Sequence, residues 1–385
     1  MKVVHLCLGS FFPDNYSYQE NMLPKFHKQQ GHDVEVIASL VTFDKNGKAV
    51  LMDKASSYIN EHGIPVTRLS YKPGKLNKRF RFFVGFEEAL EKAAPDVLFI
   101  HGCQFCDIRI VVKYVKKHPD VKVFVDNHAD FSNSATNWLS KNVLHKMVWR
   151  SCAHKIEPYT TKFYGVLPAR VDFLKNVYGL PAEKCELLVM GADDEAVQAA
   201  AAPEVRKAIR EKYGIGEEDF LIMTGGKIDA WKPQTLLLME AVQRISNPAV
   251  KLLVFGSVTP ELKDKLEALA DGEKVKYIGW IQAKDSYQYF AAADLVVFPG
   301  RHSVFWEQVA AQGIPMLCKE WAGTKHVDIG GNVRFLTQES AEEIQREICR
   351  LLDNPEEYGQ MRRVAMENGM KTFSYKDIAR RAIEG

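Results

Sequence analysis

Short apolar runs alternate with helix-compatible stretches along almost the whole chain, and this alternation constrains the fold more than any other property. Val3 to Leu8, His32 to Ser39, a run after Gly63 ending at Leu69, Pro95 to His101, Val121 to Asp126 and Cys185 to Val189 lie in the first half. Phe220 to Thr224, Val250 to Gly256, Val275 to Gly279, Asp294 to Pro299 and Ile314 to Cys318 lie in the second. Runs without a polar face suit parallel strands covered by helices on both sides. Tyr18 to Gln30, Gln234 to Ile245, Glu261 to Ala270, Ser286 to Ala292 and Phe305 to Gln312 supply the helical crossovers. A chain of 385 residues suits two such α/β units of under about 200 residues each. No G-x-G-x-x-G follows the first strand, so a dinucleotide is not indicated.

An apolar fraction of 46% with 26% charged residues is that of a globular protein, and a net charge of +2 advertises no nucleic acid as partner. The seven cysteines are scattered and odd in number, as expected of reduced thiols in a cytoplasmic protein. Cys103 and Cys106 form a C-x-x-C with no second ligand pair, which reads as structure rather than zinc or redox chemistry. Asp193-Asp194-Glu195 reads as a helix start rather than a metal site. MKVVHLCLGSFFP reads as a buried strand rather than a signal peptide, and no run of roughly 18 apolar residues is present to span a membrane.

One stretch carries chemistry. FLIMTGGKIDAWKPQTLLL, Phe220 to Leu238, is a strand, a double-glycine turn and a helix start, with Lys227 and Lys232 in the turn. Unpartnered N–H groups at a helix start favour an anion, and two ammonium groups suit a diphosphate, although two ordinary surface lysines fit the same pattern. Gly256-Ser257-Val258, Gly279-Trp280-Ile281 and Gly300-Arg301-His302-Ser303-Val304 follow other strands and should converge on the same crevice. Glu307, one turn inside the next helix, either reads a polyol or balances the helix dipole. In the first half His101, His128 and Asp130 follow strands and should face a cleft, although a strand-end histidine is also a common structural group. Lys72 to Phe83 interleaves cations with aromatics, fitting either anionic headgroups or a snorkelling helix start.

The order of GGKIDAWK, VFGS, YIGW and a glycine-ended helix before Ile-Pro resembles the donor half of family 4 retaining glycosyltransferases of the GT-B fold. YSYQENMLPKFHKQQGHDVEVIAS, VDNHADFSNSA and VMGADDE resemble that family's opening β-α-β, its active-site histidine loop and its domain-closing segment. The resemblance implies two Rossmann-like doubly wound parallel-sheet domains facing across a cleft. Residues 1–195 would form the acceptor-side domain, 196–365 the nucleotide-sugar donor domain, and 366–385 a helix returning to the first. It implies His128, Lys227, Lys232 and Glu307 as catalytic. Gly9, Gly226, Gly256, Trp280, Ile281, Arg301, His302, Ser303 and Val304 would join Lys227, Lys232 and Glu307 around the donor, and Gln308 competes with Glu307 for the family's second glutamate position. Tyr18, Glu20, His101 and Asp130 would lie on the acceptor side. The family's first glutamate has no counterpart, and residues 301–304 are the candidates to replace it.

The implied reaction moves a hexosyl group, with retention, from a nucleotide diphosphate sugar to an acceptor hydroxyl on a glycan or lipid-linked glycan. No metal or other cofactor is expected, and residues 72–83 would touch the inner membrane face. A nucleotide-sugar epimerase of the same fold, or a binding protein without turnover, are the alternatives.

Overall fold

The computed structural model describes residues 1–44 and 48–384. The chain divides into two units, one of Met1–Met190 with the tail from Tyr375, the other of Gly191–Ser374. The division falls at 190/191 rather than 195/196, because Asp193 caps the helix Asp194–Ala200 by accepting from Glu195 N at 3.2 Å, which assigns this stretch to the second unit. The returning segment starts at Tyr375 rather than 366, since the helix Pro355–Phe373 continues unbroken past that position.

In the first unit the strands are β1 (Lys2–Cys7), β2 (Asp33–Ser39), β3 (Val41–Phe43), β4 (Ala49–Leu51), β5 (Ser56–Ile59), β6 (Pro65–Leu69), β7 (Val97–His101), β8 (Lys122–Asn127), β9 (Thr160–Gly165) and β10 (Cys185–Leu187). The sheet order is β10-β9-β8-β7-β1-β2-β6-β5, while β3 and β4 pair separately. All pairings in the large sheet are parallel except β5 with β6 at the edge. Every residue of β7 is buried, as a central parallel strand requires. The order reverses between β7 and β1. Gly9 and Gly102 meet there: a Cβ on Gly9 would stand 2.2 Å from the Gly102 carbonyl oxygen. The terminal helix Tyr375–Glu384 packs on the helix Gln19–Gln29 of the same unit.

The second unit holds β11 (Phe220–Gly225), β12 (Val250–Phe255), β13 (Val275–Tyr277), β14 (Leu295–Phe298), β15 (Met316–Lys319) and β16 (Val333–Leu336). They form one all-parallel sheet in the order β13-β12-β11-β14-β15-β16. Proline stands at the first turn of the helices Pro203–Lys212, Pro260–Leu269 and Pro355–Phe373, where its missing N–H costs nothing. The order reverses between β11 and β14, and the crevice this opens at their carboxyl ends is where an α/β sheet binds ligands.

Candidate active site

The loop after β11 is built by backbone pairing with the loop after β12. Ile228 N donates to Ser257 O at 2.8 Å, Thr259 N to Ile228 O at 3.0 Å, and Gly256 N to Gly279 O at 2.8 Å. Gly256 sits at φ +129, and a Cβ there would lie 1.8 Å from the Gly226 carbonyl oxygen. Only glycine lets the two loops approach this closely. The Asp229 carboxylate then accepts from Trp231 N at 2.9 Å and Lys232 N at 3.1 Å, which turns the chain so that Lys232 points back toward the crevice.

The crevice is lined by Gly225, Gly226, Lys227, Lys232, Arg301 and Ser303, among others. Lys227 Nζ is 3.2 Å from Asp229 and otherwise open to solvent. Burial, together with the charges of Arg301 and Lys227, pushes the Lys232 ammonium below the usual lysine range against the pull of Asp229. The Arg301 guanidinium lies 5.4 Å from the Trp231 ring and 5.8 Å from the Trp321 ring, and Trp321 Nε1 donates to Gly300 O at 3.3 Å. Three cations around one carboxylate leave a positive excess at a switch point. The two tryptophans leave no spacing signal in the sequence, because Trp231, which is exposed, and Trp321, which is half-buried, stand far apart in the chain. A wider groove between the helices Asp194–Ala200 and Pro355–Phe373 has its Arg206 committed to Asp294 and to the Ala292 and Ala293 carbonyls.

Glu307 and Gln308 lie beneath this crevice, not in its wall: both are buried, and Gln308 Oε1 accepts from Ser286 at 3.4 Å. Glu307 Oε1 takes His302 Nε2 at 2.8 Å and His326 Nε2 at 2.7 Å. Burial would raise this carboxyl, but the two imidazoles hold it down to about 2. The expected polyol reader is therefore engaged inside the unit, through a histidine, His326, that sequence reading did not single out. His302, Ser303 and Val304 lead into the helix Phe305–Ala311 and are half-buried. Trp280, after β13, presents its ring to solvent, with Ile281 half-buried beside it.

In the first unit, His128 follows β8 and is partly exposed; its Nε2 lies 3.2 Å from Asp126 Oδ2 and 4.0 Å from Glu20 Oε1. Burial disfavours its cation, yet Glu20 and Asp126 raise it above the ordinary histidine range. Glu20 is itself buried at the start of its helix, and Tyr18 stacks on Tyr16 just ahead of it at 5.5 Å. Two expectations change here. His101 does not face an open cleft: it is fully buried, with Nδ1 2.7 Å from Asp126 Oδ2. Asp130 staples its own loop, accepting from Ser132 N at 2.7 Å and Arg170 Nε at 3.1 Å, so its oxygens are occupied.

Residues 72–83 also differ from a free cationic loop. Lys75–Phe80 is a short helix whose Lys75, Lys78 and Arg79 are exposed beside Leu76. Arg81 instead turns inward, donating to the Gly9 and Gln104 carbonyls, and Phe83 is in the core.

Among the described residues, two triads bring histidine and carboxylate atoms within 4.8 Å of one another, His101–Asp126–His128 and His302–Glu307–His326. Three of their N···O contacts, at 2.7 to 2.8 Å, are hydrogen bonds, while His128 Nε2 stands 3.2 Å from Asp126 Oδ2 without a hydrogen-bond partner among the described residues. All seven cysteines are free.

Residues 219–354 match the family described as glycosyl transferases group 1. The chain has the GT-B fold, and over this stretch, about a third of its length, it resembles family 4-type glycosyltransferases. A mannosylfructose-phosphate synthase of Agrobacterium fabrum is 21% identical over 63% of this chain and 55% of its own length. A GDP-mannose-dependent phosphatidylinositol monomannoside mannosyltransferase of Corynebacterium glutamicum is 24% identical over 43% of this chain and 45% of its own. The chain thus spans about half the length of these curated relatives. The crystal structure of Anabaena HepE in complex with UDP superposes with a TM-score of 0.68 at 15% identity, covering 100% of this chain and 99% of that one. No helix among the described residues is long and apolar enough to cross a membrane.

Proposed function

We propose that the glycosyltransferase moves a hexosyl group, with retention, from a nucleotide diphosphate sugar to an acceptor hydroxyl, without a divalent metal. The observation that carries this reading is the excess of positive charge formed by Lys227, Lys232 and Arg301 around the single carboxylate of Asp229 at the β11/β14 switch point. A diphosphate is the dianionic group that such a cluster, beside a helix start, receives best. HepE, which shares the fold, is a UDP-binding protein, in line with a nucleotide on this side of the chemistry.

In the transfer, the bond from the anomeric carbon to the diphosphate oxygen breaks and a bond to the acceptor oxygen forms on the same face. The acceptor proton passes to the departing phosphate oxygen. Charge grows on that phosphate as the bond stretches, and preorganised ammonium, guanidinium and backbone N–H groups stabilise the transition state more than the ground state. His128 is the group assigned to the neighbourhood of the reacting sugar. The acceptor is assigned to glycan or lipid-linked glycan chemistry at the cytoplasmic membrane face, in the synthesis of a cell-surface polysaccharide or glycolipid. Lys75, Lys78, Arg79 and Leu76 support that assignment as an exposed cationic and apolar face.

The reading is tested by incubating the protein with a panel of nucleotide sugars and following donor consumption and product mass. Consumption of one donor with release of nucleoside diphosphate supports it; conversion of the donor into an isomer with no nucleotide release would establish the epimerase alternative.

A further inference from the structure

We propose that His101 is a positioning residue for His128: with His5 and His27 it forms a buried imidazole relay, anchored on the Ala379 carbonyl of the terminal helix, that keeps Asp126 an ionised acceptor facing His128. The proposal rests on the reading of His128 as the histidine beside the reacting sugar.

The relay is continuous. His27 Nε2 lies 2.7 Å from Ala379 O, His27 Nδ1 lies 3.0 Å from His5 Nε2, His5 Nδ1 lies 3.0 Å from His101 Nε2, and His101 Nδ1 lies 2.7 Å from Asp126 Oδ2. The rings come from three different elements, β1, β7 and the helix Gln19–Gln29, and none of them meets solvent. Phe99 covers the relay, 5.5 Å from the His5 ring and 4.9 Å from the His101 ring.

Hydrogen counting fixes its charge. A carbonyl only accepts, so His27 Nε2 carries a hydrogen. Each of the remaining three contacts also needs one hydrogen, so four are shared among three rings and a carboxyl. Three neutral imidazoles supply only three. Burial, with His27 and His101 beside it, pushes His5 well below the imidazole range, and burial pushes His27 down to about 4 despite its bond to Ala379. Those two rings are neutral at pH 7, and the fourth hydrogen lies between His101 Nδ1 and Asp126 Oδ2. Burial works to raise the Asp126 carboxyl, but His101 and then His128 hold it well below the usual range, which disfavours placing that hydrogen on the carboxyl.

The consequence reaches His128. An aspartate neutralised by His101 on one side attracts His128 less than a bare buried carboxylate would, and it still presents an oxygen 3.2 Å from His128 Nε2. The ionised Asp126 oxygen then favours a hydrogen on His128 Nε2, the ring nitrogen that stands 3.2 Å from it. The other groups that bear on these residues are Glu20 and Arg170 at His128, Cys7 at Asp126, and His32 at His27, its ring 6.0 Å away.

The test is a nuclear magnetic resonance titration of the full chain with nitrogen-15-labelled histidine. The relay predicts both His101 nitrogens protonated at neutral pH, with His27 a neutral Nε2–H tautomer. In His101→Gln the His128 midpoint should rise by on the order of one pH unit, because Asp126 loses its cationic partner. The acid limb of donor turnover should follow by the same shift. A neutral His101 in the wild-type spectrum overturns the proposal even where the variant does not fold, and so does an unmoved His128 midpoint in a folded variant. Full transfer activity in His128→Ala would instead overturn the active-site reading and leave the relay spectra intact.

Discussion

Glu307 Oε1 lies 2.7 Å from His326 Nε2, and neither side chain is open to solvent, so a carboxylate is stored beneath the β11/β14 crevice with imidazole as its partner. His302 shares the same oxygen at 2.8 Å. Replacing Glu307 by Ala strands two buried rings and should cost roughly 3 to 5 kcal/mol of stability, whereas Gln keeps an acceptor and should cost less than half of that. Denaturant unfolding of the two variants checks this, and an alanine variant within about 1 kcal/mol of the parent protein would contradict it.

Lys232 is mostly enclosed while Lys227 is exposed and already paired with Asp229, so the two lysines should differ in weight. Lys232→Ala is expected to weaken nucleoside diphosphate binding by roughly 10 to 100-fold, and Lys227→Ala by less than about 10-fold. Thermal shift against increasing UDP and GDP measures both. The reverse ranking would remove Lys232 from the centre of the site.

Gly256→Ala tests the loop scaffold. Its Cβ would stand 1.8 Å from the Gly226 carbonyl, and φ is +129, so both loops must move. A loss of at least about 2 kcal/mol, with loss of nucleotide binding, is expected. A variant of unchanged stability and affinity would show that the crevice does not depend on this approach.

Stability should fall with acid well before the carboxylates titrate. His27 and His145 are both pushed by burial to about 4, from an ordinary value of 6.5. Between those limits the unfolded chain binds protons that the native chain refuses, so stability is full above about pH 6.5 and declines as pH falls toward 4. Each group contributes at most on the order of 3 kcal/mol. Glu307 acts in a lower window, its share being present above its ordinary value of 4.5 and lost as pH falls toward about 2. Urea midpoints measured from pH 7.5 to 4.5 should decline, and less steeply in His145→Gln; a flat profile would contradict the burial argument.

The strands that bear the site were legible because they are continuous apolar runs, VLFIH and VKVFVD among them. β9, TTKFYG, and β16, VRFL, were passed over because polar residues interrupt the first and the second is short. The crevice lysines were legible for a local reason: strand, glycines, lysine and helix start follow in one stretch. What sequence could not give was long-range pairing. Nothing in the spacing of His5, His27 and His101 foretells a relay, and His101 therefore read as a cleft residue. Likewise His326 lies beyond β15, and only the folded sheet returns it to Glu307.

In the proposed reaction Lys227, Lys232 and Arg301 do the work a divalent ion would otherwise do. The most direct measurement is calorimetric titration of UDP and GDP into the protein with excess chelator, then with magnesium. Saturable binding of at least one nucleotide in chelator, unchanged by magnesium and lost in Lys232→Ala, is the predicted result. Binding that disappears with chelator and returns with magnesium would contradict it.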